Sequence, residues 1–184
     1  MGERGRPKLD PAELSPEDRW KKAKEICFDL LAARPRSQDE LRQALQRKGF
    51  DAETSETLLG KLDKAGLVDD VAFAESWVRA RHTHKGLARS ALVVELKRKG
   101  IDSEVASQAT SEVDRESEEQ RARELVRKKL RGLGANVDEK TAIRRLLGML
   151  ARKGYSQGLS YSMIREELQE FGAESTILDE AFGD

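Results

Sequence analysis

Apolar residues recur along this chain at intervals of three and four, and nowhere do they alternate with polar ones over the length of a strand. The pattern predicts helices throughout. The first repeat of stripes runs through Trp20, Ala23, Cys27, Leu30 and Leu31, then Leu41 and Leu45, then Leu58, Leu59 and Leu62. The second runs through Phe73, Ala74, Trp77 and Val78, then Leu92 and Leu96, then Val105, Ala109 and Val113. The third runs through Ala122, Leu125, Val126 and Leu130, then Ile143, Leu146, Leu147 and Leu150, then Met163, Ile164 and Leu168. Helix-start signals precede many of them. Ser15-Pro16-Glu17-Asp18 combines a capping serine, a proline at the first helical position and acids in the first turn. Ser37, Asp51, Asp69-Asp70 and Asp102 are expected to cap later helices, and the third repeat is expected to open near Ser117.

One pattern is written three times. Leu-x-x-x-Leu-x-Arg-Lys-Gly followed by an apolar residue occupies 41–50, 92–101 and 146–155, with the glycines 51 and 54 residues apart. Leucines four apart share a helix face. The glycine fits the left-handed position just past a helix end, and the next residue (Phe50, Ile101 or Tyr155) folds back on the second leucine. The Arg-Lys pair falls in the last turn, where cations complement the helix dipole. That structural role explains the pair by itself; a share in a charged binding surface is the competing reading. A period near fifty residues means a tandem array of small units. The expected fold is all-α, an elongated tandem array of three three-helix repeats. Its expected parts are a disordered arm at 1–14, repeats at 15–67, 68–115 and 116–172, and an acidic tail at 173–184. Each repeat is small enough to be marginal alone, so neighbours must lean on one another.

Charge refines this picture. Charged residues make up 37% of the chain and aromatics 5%, which suits a well-solvated helical protein. Lysine plus arginine and aspartate plus glutamate both number 34, so the total says nothing about partners, but the distribution does. From 79 to 99 the cations face Glu95 alone; from 121 to 153 eleven cations face Glu124, Asp138 and Glu139; after Tyr155 acids dominate. A basic middle points to an anionic partner, although a solvated helix face would look the same. The candidate contact residues are Arg79, Arg81, Lys85 and Arg89 in the second repeat and Arg123, Arg127, Lys128 and Arg131 in the third. Spacings of three or four place each set mostly along one helix face.

Nothing points to catalysis. There is no phosphate-cradling glycine loop and no Gly-x-Ser-x-Gly elbow. His82 and His84 are two apart and cannot share a helix face, while Cys27 lies in an apolar stripe far away. No metal, cofactor or catalytic residue is expected. Trp77, four residues after Phe73, reads as a core residue. No apolar stretch reaches a membrane span and the N-terminus has no apolar signal core, so a cytoplasmic monomer without membrane contact is expected.

The stretch Leu67-Val68-Asp69-Asp70-Val71-Ala72-Phe73-Ala74-Glu75-Ser76-Trp77-Val78-Arg79-Ala80-Arg81 resembles the signature of the RecX family of recombination regulators: a leucine, an acidic pair, Phe-Ala, Trp-Val and an arginine. The second motif copy follows at the expected distance, and the triple repeat is similar to the family's architecture over about 20–168. Two departures stand out: Ser156-Gln157-Gly158-Leu159 reads as a lengthened linker, and the arm has no family counterpart. The resemblance implies a regulatory binding protein of DNA repair, recombination and the SOS response, not an enzyme. It implies the RecA filament on single-stranded DNA as partner, bound in the filament's helical groove across neighbouring subunits, with the DNA itself as a further contact. It also implies inhibition of RecA's ATP hydrolysis, strand exchange and coprotease activity, and filament shortening. Of the candidate residues only Arg81 stands at a signature position. The alternative is a direct DNA-binding protein using three-helix modules. The balanced charge and the lack of a Gln/Asn/Arg-rich recognition helix count against it.

Overall fold

The computed structural model describes residues 10–133 and 138–170. The first nine residues of the expected arm, Gly134 of the loop at Gly132, and the acidic tail lie outside the described residues. Among those described there are nine α-helices and no strand, the all-α class the periodicity predicts. They are α1 (Pro16–Ala33), α2 (Gln38–Arg47), α3 (Ala52–Lys64), α4 (Asp70–Ala80), α5 (Arg89–Arg98), α6 (Ser103–Thr110), α7 (Arg115–Arg131), α8 (Glu139–Arg152) and α9 (Gln157–Glu170). A five-residue π-turn, Arg81–Lys85, continues α4.

Local polar chemistry sets most helix starts. The Ser15 hydroxyl accepts from the Asp18 N–H at 3.1 Å. Ser37 and Glu40 form a reciprocal capping box. Asp51 accepts from the Thr54 N–H at 2.7 Å, and Asp69 from those of Val71 and Ala72, both at 2.9 Å. Three expectations shift. The helix expected near Ser117 opens at Arg115, because Asp114 caps it by accepting from the Ser117 N–H at 2.8 Å. The segment read as a lengthened linker is instead the first turn of α9, with the Ser156 hydroxyl accepting from the Leu159 N–H at 3.3 Å. The end of the expected arm is structured: Pro11–Glu13 form a 3-10 turn, Pro11 is buried, and Arg19 Nε donates to its carbonyl at 2.9 Å.

The chain divides into two compact units, Met1–Ala74 with Lys97–Val105, and Glu75–Leu96 with Ala106–Asp184. In the first, Ala23 and Cys27 of α1, Leu41 and Leu45 of α2, and Leu58, Leu59 and Leu62 of α3 form a core closed by Phe50 and Val68. Burial pushes the Cys27 thiol up to about 11. In the second, Val126 of α7, Ile143, Leu146 and Leu150 of α8, and Ile164 and Leu168 of α9 form the core, closed by Ala88 and Tyr155. Each such leucine or isoleucine contributes about 1.5–3 kcal/mol by leaving water.

The three motif glycines adopt the left-handed backbone the spacing requires, with φ of 88° at Gly49, 72° at Gly100 and 86° at Gly154. The motif also joins repeats. Within the first unit, Ser37 at the head of α2 donates to the Lys99 carbonyl at 2.6 Å, and the Lys99 ammonium meets Glu40 at 2.6 Å. Within the second, Ser90 at the head of α5 donates to the Gly154 carbonyl at 2.6 Å, and the Ala88 N–H to the Lys153 carbonyl at 2.9 Å. Carbonyl end therefore meets amino end in both cases, the favourable sense of the helix dipoles. A Cβ on Gly100 would stand 2.2 Å from the Asp39 Cβ, and one on Gly154 2.7 Å from the Ala91 Cβ. These glycines serve the turn and the close approach together.

Candidate binding groove

The site lies in the second unit. At its margin, Arg81 Nε stands 2.9 Å from Glu95 Oε2, and its guanidinium lies 4.6 Å from the centre of the Trp77 ring. The Trp77 indole N–H donates to the same carboxylate oxygen at 2.9 Å. Trp77 is thus half-buried and tied to the charged margin, not a plain core residue; Val78 beside it is the buried one. A cation over an aromatic face at such a site contributes about 0.5–1 kcal/mol. Past Arg81 the π-turn carries His82, whose Nδ1 is 2.9 Å from the Leu87 carbonyl, and the exposed His84 and Lys85. Gly86 ends the turn with φ of 63°, and its carbonyl accepts from the Tyr155 hydroxyl at 3.1 Å. No group of three or more potential metal ligands occurs among the described residues.

Helix α7 has two basic faces with different duties. Arg123 meets Glu166 at 2.5 Å and Glu167 at 3.4 Å; Arg127 meets Glu167 at 2.5 Å and Glu170 at 2.6 Å. Glu167 is wholly enclosed, and a buried carboxylate survives only when paired. Arg123 and Arg127 therefore fasten α9 to α7 rather than stand open to a partner. The signal was present in the sequence: Glu167 interrupts the apolar stripe of Met163, Ile164 and Leu168, so it had to find a cation.

The other face of α7 borders two of three depressions that share Met149 as a lining residue. The largest, about 570 Å³, is lined by His84 and Lys85 of the π-turn, by Arg121, Lys128 and Arg131 of α7, and by Lys153. Glu124 is its one carboxylate, and it is engaged by Arg121 at 2.6 Å. The second, about 350 Å³, has Lys129, Arg144, Arg145 and Arg152 and no acid. The third, about 440 Å³, has Arg81, Lys85, Arg152 and Lys153 with Glu95. Lys128, Lys129, Arg131, Arg144, Arg145 and Arg152 form no ion pair among the described residues. Burial, together with the charges of Arg121 and Lys85, lowers the affinity of the Lys153 ammonium for its proton. Crowded like charges of this kind favour an incoming anion.

Of the sequence-derived candidates, Lys85, Lys128 and Arg131 line the groove and Arg81 stands at its margin. Arg79 and Arg89 are exposed but do not line it; the Arg89 N–H donates to Glu118 at 2.7 Å. Arg123 and Arg127 belong to the α7–α9 seam. Sequence reasoning did not name Arg121, Lys129, Arg144 or Arg145 as contacts, and it met Arg152 and Lys153 only as the motif's third Arg-Lys pair, with a share in a charged surface as the competing reading. Arg145 and Arg152 flank Met149 at intervals of four and three, on the side of α8 away from Ile143, Leu146 and Leu150, which could have singled them out.

Three family models match the chain: the first RecX three-helix domain at 23–62, the second at 69–109 and the third at 116–164. A regulatory protein RecX of Amycolatopsis mediterranei is 73% identical over 173 residues, covering 94% of this chain and 98% of its own. One of Streptomyces coelicolor is 41% identical over 181 residues, covering 98% and 92%. A crystal structure of a regulatory protein RecX superposes with a TM-score of 0.69 at 25% identity, covering 84% of this chain and 79% of that one. RecX from Lactobacillus salivarius, 20% identical over 82% of this chain and 97% of its own, shares the fold with a TM-score of 0.70.

Proposed function

We propose, starting from the fact that this chain belongs to the RecX family, that it regulates the RecA recombinase by binding RecA polymerised on single-stranded DNA. It lies in the filament's helical groove, restrains ATP hydrolysis, strand exchange and coprotease activity, and promotes filament shortening. It acts in the cytoplasm as a monomer and by contact alone, without chemistry of its own. The observation that carries the site is the set of groove cations with no ion pair among the described residues, gathered around Met149. They suit an anionic surface of the filament, whether acidic protein or DNA phosphate. Repeats give several contacts on one chain, and after the first contact each further one is effectively intramolecular.

The test is RecA's ATP hydrolysis on single-stranded DNA with this chain added below the RecA concentration. Hydrolysis falls if the proposal holds; an unchanged rate with the cognate RecA ends it. The groove also keeps direct DNA binding in view, which predicts tight, steeply salt-dependent association with DNA when RecA is absent.

A further inference from the structure

Lys153 is the motif lysine of the third copy, and Lys99 holds the same place in the second. Their surroundings differ. The Lys99 ammonium meets the Glu40 carboxylate at 2.6 Å. Lys153 makes no ion pair among the described residues; its Nζ donates to the backbone carbonyl of Lys85. That contact holds the amine at a wall shared by the two larger depressions, of about 570 and 440 Å³. Each of these has one carboxylate, and each carboxylate is already engaged, Glu124 by Arg121 at 2.6 Å and Glu95 by Arg81 at 2.9 Å. What remains around the amine is positive: Lys85, Arg121, Lys128 and Arg131 line the larger depression with it. Burial and the charges of Arg121 and Lys85 ease the loss of its proton. A lysine partly withdrawn from water beside other cations offers more free amine, and so more nucleophile, than an exposed one.

We propose that Lys153 is an acylation site of this chain and that its donors are acyl phosphates, whose phosphate the groove cations seat while the amine takes the acyl group. The Nζ lone pair attacks the acyl carbon, a C–N bond forms, and the C–O bond to phosphate breaks. Phosphate departs with that electron pair and takes the surplus proton from the nitrogen. A neutral amine and an acyl phosphate thus become an amide and hydrogen phosphate. Arg121, Lys128 and Arg131 offset the charge that gathers on the leaving phosphate. The amide keeps one N–H for the Lys85 carbonyl, so the product retains the contact that the ammonium makes. The groove loses one positive charge, and its anionic partner binds less tightly. That last consequence rests on the reading of the groove as the partner's contact; the acylation does not.

The test is the rate of acetylation at each lysine of the full chain, read by peptide mass spectrometry at about pH 8. Two donors are compared: acetyl phosphate, and the N-hydroxysuccinimide ester of acetic acid, which carries no phosphate. With acetyl phosphate, Lys153 should react about fivefold or more faster than the exposed Lys64, and faster than the ion-paired Lys99. Its lead should shrink with the phosphate-free ester. Inorganic tripolyphosphate should slow Lys153 and leave Lys64 unaffected. A Lys153 rate no greater than that of Lys64 overturns the proposal. So does a lead of equal size with both donors, or indifference of Lys153 to tripolyphosphate, since either leaves the phosphate no part. The loss of charge has its own readout: Lys153→Gln should bind tripolyphosphate about threefold more weakly than Lys153→Arg, and equal affinities would remove that consequence. None of these measurements contains RecA, so the acylation and the filament reading fail separately.

Discussion

Gly100 answers to two constraints, a left-handed backbone and the approach of Asp39. Gly100→Val should therefore lower stability by about 2 kcal/mol or more in denaturant unfolding, from backbone strain alone and more from the clash. Gly60 is the contrast: it lies inside α3 with open space around it, and Gly60→Ala should stabilise by about 0.5–1 kcal/mol. The spacing of the motif made the turn legible, but the neighbour at Gly100 belongs to a helix some sixty residues earlier, beyond any local pattern. Glu40 shows the same limit. Burial would raise its carboxyl, but hydrogen bonds from Arg34 and Lys99 and their charges hold it down to about 2, against an ordinary 4.5. A depressed carboxylate contributes stability above its unfolded value and loses it as pH falls from about 4.5 towards 2. The difference in unfolding free energy between the protein and Glu40→Gln should shrink through that window, by about 1 kcal/mol once solvent screening is counted. A constant difference would remove Glu40 from the acid response.

Among the elements, α7 decides how the charges are used. Periodicity of three and four revealed its cations and its apolar stripe, but not which cations turn towards α9. That choice was set by Glu167, an acid inside a stripe, and by the parallel run of the two helices. Charge reversal should separate the faces. Arg127→Glu would confront Glu167 and Glu170 with a like charge and should lower the unfolding midpoint in a thermal scan. Lys128→Glu with Arg131→Glu should leave helicity and midpoint unchanged, yet weaken filament binding about tenfold at low salt and less at high salt. Equal midpoints for the two variants would contradict the assignment of the seam. The π-turn at Arg81–Lys85 was equally hidden, since its signal is a helix that widens rather than ends. Its consequence is geometric: it carries His84 and Lys85 into the groove wall.

At the scale of the molecule, the thrice-written motif made the tandem of three-helix repeats readable before any coordinates, and three successive family-model matches agree with that architecture. The means of joining was less readable. A lysine and glycine that close one helix also dock on the serine opening an earlier one, so a residue suited to its own helix end acts for its neighbour. The groove emerges only when α7, α8 and the π-turn come together, and no single run of cations outlines it. The central claim is that this groove faces the RecA filament. A density map of the chain on RecA polymerised over single-stranded DNA with nucleotide tests it most directly. The expected map places Lys128, Arg131 and Arg152 against the filament; a map with that groove turned to solvent would contradict the claim.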